Sequence, residues 1–519
     1  MAIKIILLAV FFAVMIGVGI YCRKQAVSVD GFVLGGRSVG PWLTAFAYGT
    51  SYFSAVIFVG YAGQFGWKFG VASTWIGIGN ALIGSLLAWL ILGRRTRVMT
   101  THLGTKTMPE FFEKRFGSSA LKVAASAIVF IFLIPYTASL YNGLSRLFES
   151  SFGIDYAYCV IGMAILTGIY VIVGGYMATA INDFIQGIIM LVGIVVVILA
   201  VLNQKGGFSE AISQLSQIPA ETNPEMSGAF ASLLGPEPLA LLFVVILTSL
   251  GTWGLPQMIQ KFYSIKSDSA VKKGTIISTV FALIVAGGCY FLGGFGRLFG
   301  DVAETNESGA VIYDSIVPGM LKNLPDLVIG VVLVLVVSAS MSTLSSLVLT
   351  SSSTLTLDMI VPASKRSGKD GMKEKSQMLT MRVFIVFFIA VSAVIAIVQA
   401  KSSVTFIAQL MGVSWGALAG SFLAPFMLGL YMKRITRAAV WCSFISGVGI
   451  MGTNLVCTLT GTTFINSFWS SPINAGVLAM AAGLVIVPVV SLIGGKAAKS
   501  AADEIFICYD KKKPEDTVL

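Results

Sequence analysis

The sequence predicts an all-α polytopic membrane protein with thirteen transmembrane helices. Hydrophobic residues make up 56% of its 519 residues and charged residues only 11%, a composition typical of proteins embedded in a bilayer. Apolar windows of about 20 residues, the length that a ~30 Å hydrocarbon core requires, recur along the whole chain. We place these windows at 3–21, 40–62, 70–93, 122–145, 156–177, 181–203, 239–262, 274–296, 327–358, 381–400, 405–430, 438–460 and 473–495.

The distribution of lysine and arginine predicts how the spans are oriented. If the N-terminus is outside, the inner segments, among them 261–273, hold most of the 35 basic residues, as the positive-inside rule requires. An odd number of spans then places the C-terminus in the cytoplasm. The net charge of +11 follows from this topology and requires no nucleic-acid partner. We therefore expect a multi-pass protein of the cytoplasmic (inner) membrane.

The most unusual stretch is residues 338–346 of the ninth span, where six hydroxyl side chains stand in an otherwise apolar helix. Ala339, Ser342, Thr343 and Ser346 follow the spacing i, i+3, i+4, i+7 and share one helix face. A face of hydroxyl and carbonyl oxygens suits a small hard cation such as Na⁺. The alternative is that these hydroxyls bond to carbonyls of their own helix or allow close packing.

A carboxylate lies at a similar depth in the predicted membrane. Asp183 opens the sixth span, and no lysine or arginine lies near it in the sequence. We find no lysine or arginine deep within any span, so no dedicated guanidinium clamp for a substrate carboxylate is visible. An intramembrane carboxylate is a functional candidate. The alternative for Asp183 is an acidic residue at a helix N-terminus, stabilised by the helix dipole.

Two spans carry signals of a broken helix. In span two, Gly49 is followed by hydroxyl residues in the middle of the membrane, and span seven contains the run 251–257, Gly-Thr-Trp-Gly-Leu-Pro-Gln. Unwound backbone at this depth is tolerated only inside protein, where its carbonyls are free to bind a ligand. Spans two and seven are five apart and run in opposite directions. Paired broken helices in two inverted halves indicate a transport site at the midplane.

These motifs resemble the sodium:solute symporter family over almost the entire chain. The resemblance rests on residues 34–38 (Leu-Gly-Gly-Arg-Ser), 146–150 (Arg-Leu-Phe-Glu-Ser), 254–257 (Gly-Leu-Pro-Gln) and 341–345 (Met-Ser-Thr-Leu-Ser). It implies a LeuT-like core of two inverted five-helix repeats with one additional N-terminal helix and two additional C-terminal helices. The expected organisation is an N-terminal helix and inner loop (1–38), repeat one (39–203), an outer loop (204–238), repeat two (239–430), two C-terminal helices (431–495) and a cytosolic tail (496–519).

The resemblance also implies functional residues. The common Na⁺ site would use the backbone carbonyls of Thr50, Phe53 and Ala339 and the hydroxyls of Ser342 and Thr343. A second Na⁺ site, present in some members, would use Asp183, Ser345 and Ser346 together with Ser342. The solute would contact Ser51, Ser54, Tyr136, Trp253, Gln257 and Gln409. Proline carriers have Asp where this chain has Tyr52 and Trp where it has Val56, so proline is disfavoured as the solute.

The resulting expectation is a monomeric carrier that imports a small solute, such as an amino acid or a carboxylate, together with one or two Na⁺. A proton-coupled carrier of the same fold stays open as an alternative. A channel would need a continuous polar face through several spans, and a sensor would need a signalling domain. We find neither, and no nucleophile–base pair or metal cluster that would indicate an enzyme.

Overall fold

The computed structural model describes residues 2–221, 225–305, 309, 311–366, 372–400, 407–493 and 499–510. Within these residues every regular element is a helix. The α-helices are α1 Ala2–Cys22, α2 Val29–Leu34, α3 Pro41–Tyr52, α4 Ala62–Phe69, α5 Thr74–Gly79, α6 Arg94–His102, α7 Met108–Phe116, α8 Ser119–Phe152, α9 Tyr156–Asn203, α10 Phe208–Ser216, α11 Pro238–Leu250, α12 Pro256–Tyr263, α13 Asp268–Gly293, α14 Ile316–Leu321, α15 Asp326–Thr354, α16 Val361–Arg366, α17 Glu374–Ala400, α18 Ile407–Tyr431, α19 Arg437–Thr460, α20 Pro472–Ile493 and α21 Lys499–Asp510.

Among the described residues, ten helical stretches are long and apolar enough to cross a membrane, or eleven if the bent pair formed by 238–254 and 256–263 is counted as one span. This confirms a multi-pass, all-helical membrane protein. The count of thirteen spans and their arrangement as inverted repeats stay predictions. The predicted spans 156–177 and 181–203 both fall in α9, which is interrupted at Gly175 (φ +58°, ψ −153°).

Helix α15, which carries the hydroxyl cluster, lies in the interior of the protein. Every residue from Leu335 to Thr354 is buried, and the helix packs against α1, α8, α9 and α17. In contrast, α1 exposes large aliphatic side chains such as Ile5 and Val10, as expected for a helix that faces lipid. The hydroxyl groups of α15 therefore face protein, where they can meet polar partners.

Parts of three predicted segments lie outside the described residues. These parts are the first residues of span 405–430, the last residues of span 473–495, and the tail 496–519 apart from α21. Helix α21 packs against α6, where Tyr509 donates a hydrogen bond to the carbonyl of Arg95 at 3.1 Å. The Arg95 guanidinium lies 4.6 Å from the Tyr509 ring centroid. The tail helix and α6 are therefore on the same side of the protein.

Helices α4 and α13 approach so closely that only glycine fits between them. A Cβ atom added at Gly66 would lie 1.9 Å from the carbonyl oxygen of Gly293, and one added at Gly293 would lie 2.2 Å from the carbonyl oxygen of Ala62. Small residues permit this kind of backbone approach between membrane helices. The contact fixes α4, which follows predicted span two, against α13.

We expect Gly66→Ala to lower the thermal unfolding temperature of the purified protein in detergent by several degrees. The added methyl group must displace backbone, and overpacking of this kind costs about 1–3 kcal/mol or more. The matched control is Gly162→Ala in α9, because a Cβ atom there meets nothing within 4 Å. An equal unfolding temperature for the two variants would contradict the close helix contact.

Candidate functional site

The site begins where the helix of span two breaks. Helix α3 ends at Tyr52, Phe53 is extended (φ −96°, ψ 128°), and helical structure resumes at Val56. The last carbonyls of a helix have no intrahelical partner and carry the negative end of the helix dipole. The carbonyls of Thr50 and Phe53 belong to this break, and both residues are buried. The break therefore presents free, partly negative oxygens in the protein interior.

Helix α15 brings a hydroxyl group to these carbonyls. The Oγ1 atom of Thr343 lies 3.4 Å from the carbonyl oxygen of Thr50, 3.3 Å from that of Phe53 and 3.1 Å from that of Ala339. Four of the five oxygen atoms expected for the common Na⁺ site thus come together. The fifth, Oγ of Ser342, is buried and has no hydrogen-bond partner among the described residues. An oxygen cluster without nitrogen or sulfur is suited to a hard cation.

Of the four other hydroxyls of the cluster, that of Ser338 is buried without a hydrogen-bond partner among the described residues, and the remaining three form two groups. Ser340 donates to the carbonyl of Val336 at 2.8 Å, and Ser345 donates to the carbonyl of Ser342 at 2.9 Å. These two bonds are local, as the alternative interpretation of the cluster expects. Ser346 instead reaches across to span two, where its Oγ atom lies 2.9 Å from Oγ of Ser51.

The sequence indicated no basic residue deep within any span, but a lysine at the C-terminal end of predicted span seven is buried in the protein. Lys261 of α12 is 2% exposed, and its Nζ atom lies 2.9 Å from Oγ of Ser346 and 3.6 Å from Oδ2 of Asp183. It also lies 5.3 Å from the ring centroid of Tyr176. Asp183 therefore has a basic partner that is 78 positions distant along the chain.

The tertiary structure explains why the sequence did not reveal this ion pair. We assigned Lys261 to the inner segment 261–273, where a lysine is ordinary. Leu255 is extended, and the chain bends by 48° between 238–254 and 256–263. After the bend, α12 packs against α3 and α15, so its C-terminal turn is covered by protein. A break in a helix followed within one or two turns by a lysine is the signal that was available.

The predicted solute-contacting residues differ in whether their polar atoms already have hydrogen-bond partners. Ser54 Oγ, Tyr136 Oη and both amide atoms of Gln257 are buried without a hydrogen-bond partner among the described residues. The indole N–H group of Trp253 already has a hydrogen-bond partner, because it donates to the carbonyl of Ile83 at 3.0 Å. Gln409 is half-buried, and no hydrogen bond of a described residue joins it to the others.

An aromatic residue that the sequence did not single out joins this group. The ring of Trp415 in α18 packs edge-on against Tyr136, with centroids 5.9 Å apart, and against Tyr52, with centroids 6.1 Å apart. Tyr52 also donates a hydrogen bond to the carbonyl of Thr248. Position 52 therefore presents an aromatic ring whose hydroxyl and edge are both held by protein contacts.

The Gly-Gly-Arg element at 35–37 contacts the C-terminal end of α12, two residues beyond Lys261. Gly35 and Gly36 have φ values of +59° and +65°, a conformation that favours glycine. The Arg37 guanidinium donates to the carbonyls of Tyr263 at 3.1 Å and Thr100 at 3.4 Å, and to the carbonyl of Thr105. Burial is the main influence on Arg37 and lowers the pKa of its guanidinium. These hydrogen bonds join residues 35–37 to the end of α12, to the last turn of α6 and to the turn after α6.

Comparisons with known proteins give the family and the fold of this chain. A model of the sodium:solute symporter family matches residues 32–447. The sodium/proline symporter of Staphylococcus aureus (strain JH9) is 30% identical over 447 residues, which are 85% of this chain and 84% of that protein. The substrate-bound outward-open structure of a Na⁺-coupled sialic acid symporter has a TM-score of 0.73 at 19% identity, covering 95% of this chain and 98% of that one. An inward-facing structure of Mhp1 has a TM-score of 0.51 at 14% identity, covering 90% and 95%.

An all-helical fold with at least ten apolar spans among the described residues and a match to a family of transporters define this protein as a membrane transporter rather than an enzyme. The family match covers most of the chain. The chain belongs to the sodium:solute symporter family, and Na⁺ is its coupling ion.

The unpartnered amide of Gln257 generates a prediction. We expect Gln257→Leu to leave the unfolding temperature of the solute-free protein unchanged or higher, because it removes a buried polar group that has no partner. Solute transport should fall at the same time. The measurements are thermal unfolding in detergent and uptake by proteoliposomes.

The matched control is Gln260→Leu, one turn further along α12. Gln260 accepts from Thr350 Oγ1 at 2.7 Å and donates to the carbonyl of Val33 at 3.3 Å. Its loss leaves buried partners unsatisfied and should cost about 1–3 kcal/mol of stability. If Gln257→Leu destabilised the protein as much as Gln260→Leu, the Gln257 amide would have a structural role.

Proposed function

We propose that this protein imports a small organic solute together with Na⁺ by alternating access, with the solute held at the midplane between broken spans two and seven. The convergence of carbonyl and hydroxyl oxygens on Thr343, at the point where α3 ends, is the observation that supports this function best. The buried, unpartnered polar atoms of Ser54 and Tyr136 supply hydrogen-bonding groups for a solute.

The proposed Na⁺ site consists of the carbonyls of Thr50, Phe53 and Ala339 and the hydroxyls of Ser342 and Thr343. Neutral oxygens of this kind replace the hydration shell of a monovalent cation, and the C-terminal end of the α3 half-helix adds a favourable dipole. The ion would join α3 to α15, which belong to different proposed repeats. Na⁺ would therefore stabilise one arrangement of the two repeats, and this differential affinity couples the ion to the conformational change.

The proposed solute site combines hydroxyl, amide and aromatic groups. Ser54, Tyr136 and Gln257 offer unpartnered hydrogen-bonding atoms, and Ser51 connects the site to Ser346. Trp253 would supply its ring, because its N–H group is engaged with Ile83. Gln409 is the sixth proposed contact. The ring of Tyr52 makes proline a poor candidate, and a small amino acid or carboxylate of different shape is the proposed class.

The proposed topology has thirteen spans, with inverted repeats at 39–203 and 239–430. The protein would function as a monomer in the cytoplasmic membrane, with its N-terminus outside and its C-terminus in the cytoplasm. The excess of basic residues in the proposed inner segments supports this orientation. The packing of α21 on α6 is consistent with a cytoplasmic tail, because both belong to proposed inner segments.

The energetics are adequate for accumulation. One Na⁺ that moves through about 100 mV contributes ~2.3 kcal/mol, and a tenfold concentration gradient adds about 1.4 kcal/mol. One ion per solute therefore supports roughly 500-fold accumulation, and two ions roughly 10⁵-fold.

The function is tested by uptake into proteoliposomes that contain the purified protein. Amino acids, monocarboxylates, sugars and pantothenate-like acids are supplied with an inward Na⁺ gradient, and again with K⁺ in place of Na⁺ at the same pH. We expect at least one solute to accumulate only with the Na⁺ gradient. Uptake that follows a proton gradient and is indifferent to Na⁺ would support the proton-coupled alternative and refute Na⁺ symport.

The Na⁺ site generates its own prediction. Thr343→Val keeps the shape of the side chain but removes the oxygen that meets three carbonyls, so the Na⁺ concentration for half-maximal uptake should rise at least tenfold. Ser340→Ala is the matched control, since its hydroxyl bonds only within its own helix, and its Na⁺ dependence should equal that of the unmodified protein. Equal Na⁺ dependence in both variants would refute the proposed site.

A further inference from the structure

Some of the oxygen atoms expected to bind a second Na⁺ already contact a positively charged side chain. The resemblance to the family implied Asp183, Ser345 and Ser346 as this second site. The structure brings the Lys261 ammonium to 3.6 Å from Oδ2 of Asp183 and 2.9 Å from Oγ of Ser346. Two of the three new donors of the expected site thus bind Lys261.

We propose that the Lys261 ammonium is a built-in cation that takes the place of the second Na⁺, so that one Na⁺ is transported per solute. This inference rests on the proposed function, because it assumes that the first Na⁺ binds at Thr343. It differs from that function in assigning the ion stoichiometry to a particular side chain.

Charge is the first argument. Asp183 and Lys261 are 1% and 3% exposed in their side chains, so water provides little screening between them or around them. Together they are electrically neutral. A Na⁺ ion bound to the same carboxylate would lie a few ångströms from the ammonium group, and two like charges at that distance in a buried site repel strongly.

The orientation of the remaining donors is the second argument. Ser346 Oγ is in contact with both Lys261 Nζ and Ser51 Oγ, so its oxygen is already engaged. Ser345 directs its hydroxyl toward the carbonyl of Ser342 at 2.9 Å. Ser342 Oγ of the first Na⁺ site has no hydrogen-bond partner among the described residues. The carboxylate oxygens of Asp183 also accept no hydrogen bond there, and Oδ2 meets Lys261 as an ion pair at 3.6 Å.

Tyr176 is the third element that holds the ammonium in place. Its ring centroid lies 5.3 Å from Lys261 Nζ, within the range of a cation–π interaction. The ammonium is therefore attracted by a carboxylate, a hydroxyl and an aromatic face. Because it is covalently attached to α12, it occupies the position in every cycle and contributes no ion gradient. Accumulation would then be limited to roughly 500-fold rather than roughly 10⁵-fold.

The test is equilibrium binding of radioactive Na⁺ to the purified full-length protein in detergent, without solute. We expect one Na⁺ per chain for the unmodified protein and for Lys261→Arg, which keeps the charge. Lys261→Met removes the charge but keeps the length of the side chain, so it frees Asp183 and should bind two Na⁺. The double variant Lys261→Met with Asp183→Asn should return to one.

The outcomes separate this inference from the proposed function. Two Na⁺ bound by the unmodified protein would overturn the inference and leave Na⁺ symport intact, whereas no bound Na⁺ would refute the proposed Na⁺ site itself. One Na⁺ bound by a folded Lys261→Met variant would also overturn it. Thr343→Val gives a test in which Lys261 is untouched: we expect the Na⁺ affinity to fall at least tenfold. An ion that still bound with unchanged affinity would overturn the inference, because it would occupy the position of Lys261.

Discussion

The break in span two is the constraint on which the site depends. Backbone carbonyls within a membrane find no water, so those released at a break must be buried against protein groups or a ligand. In this protein the carbonyls of Thr50 and Phe53 face Thr343 of α15. This contact requires that α15 is buried, that its middle third is polar and that it packs against span two. A helix that faced lipid could not carry these hydroxyl groups.

The hydroxyl cluster therefore has a mixed role. Ser340 and Ser345 bond within α15, which is the ordinary behaviour of such residues in membrane helices. Thr343 and Ser346 reach span two, and Ser342 has no partner among the described residues. The helix periodicity separates these behaviours, because Ala339, Ser342, Thr343 and Ser346 share the face that meets span two. The polarity of a segment is thus less informative than the face on which each polar group lies.

The buried ion pair changes how the electrostatics of the core are understood. A lone carboxylate in a membrane protein suggests a cation or a proton as its partner. With Lys261 beside it, Asp183 contributes no net negative charge to the site. Breaking such a pair by removing one partner leaves an uncompensated buried charge, which is why the neutral double variant is an informative companion to the single substitution. Arg37 donates to three carbonyls on two segments, the end of α12 at Tyr263 and the segment that contains Thr100 and Thr105.

The sequence by itself predicted the membrane class, the breaks in two helices and the hydroxyl-bearing face of α15, and its resemblance to the family implied the residues of the proposed first Na⁺ site. The first three features depend on local composition: apolar length, glycine next to hydroxyls, and the 3.6-residue period of one helix. Only the tertiary structure decided that Lys261 meets Asp183 and that Trp415 packs against Tyr52 and Tyr136. It also decided that the indole N–H group of Trp253 has a hydrogen-bond partner. Those contacts join residues far apart in the chain, and they arise because α12 bends after Leu255 and packs against α3 and α15. Charge counting along the chain assigns a lysine near a span end to the cytoplasm, whereas the bend buries it.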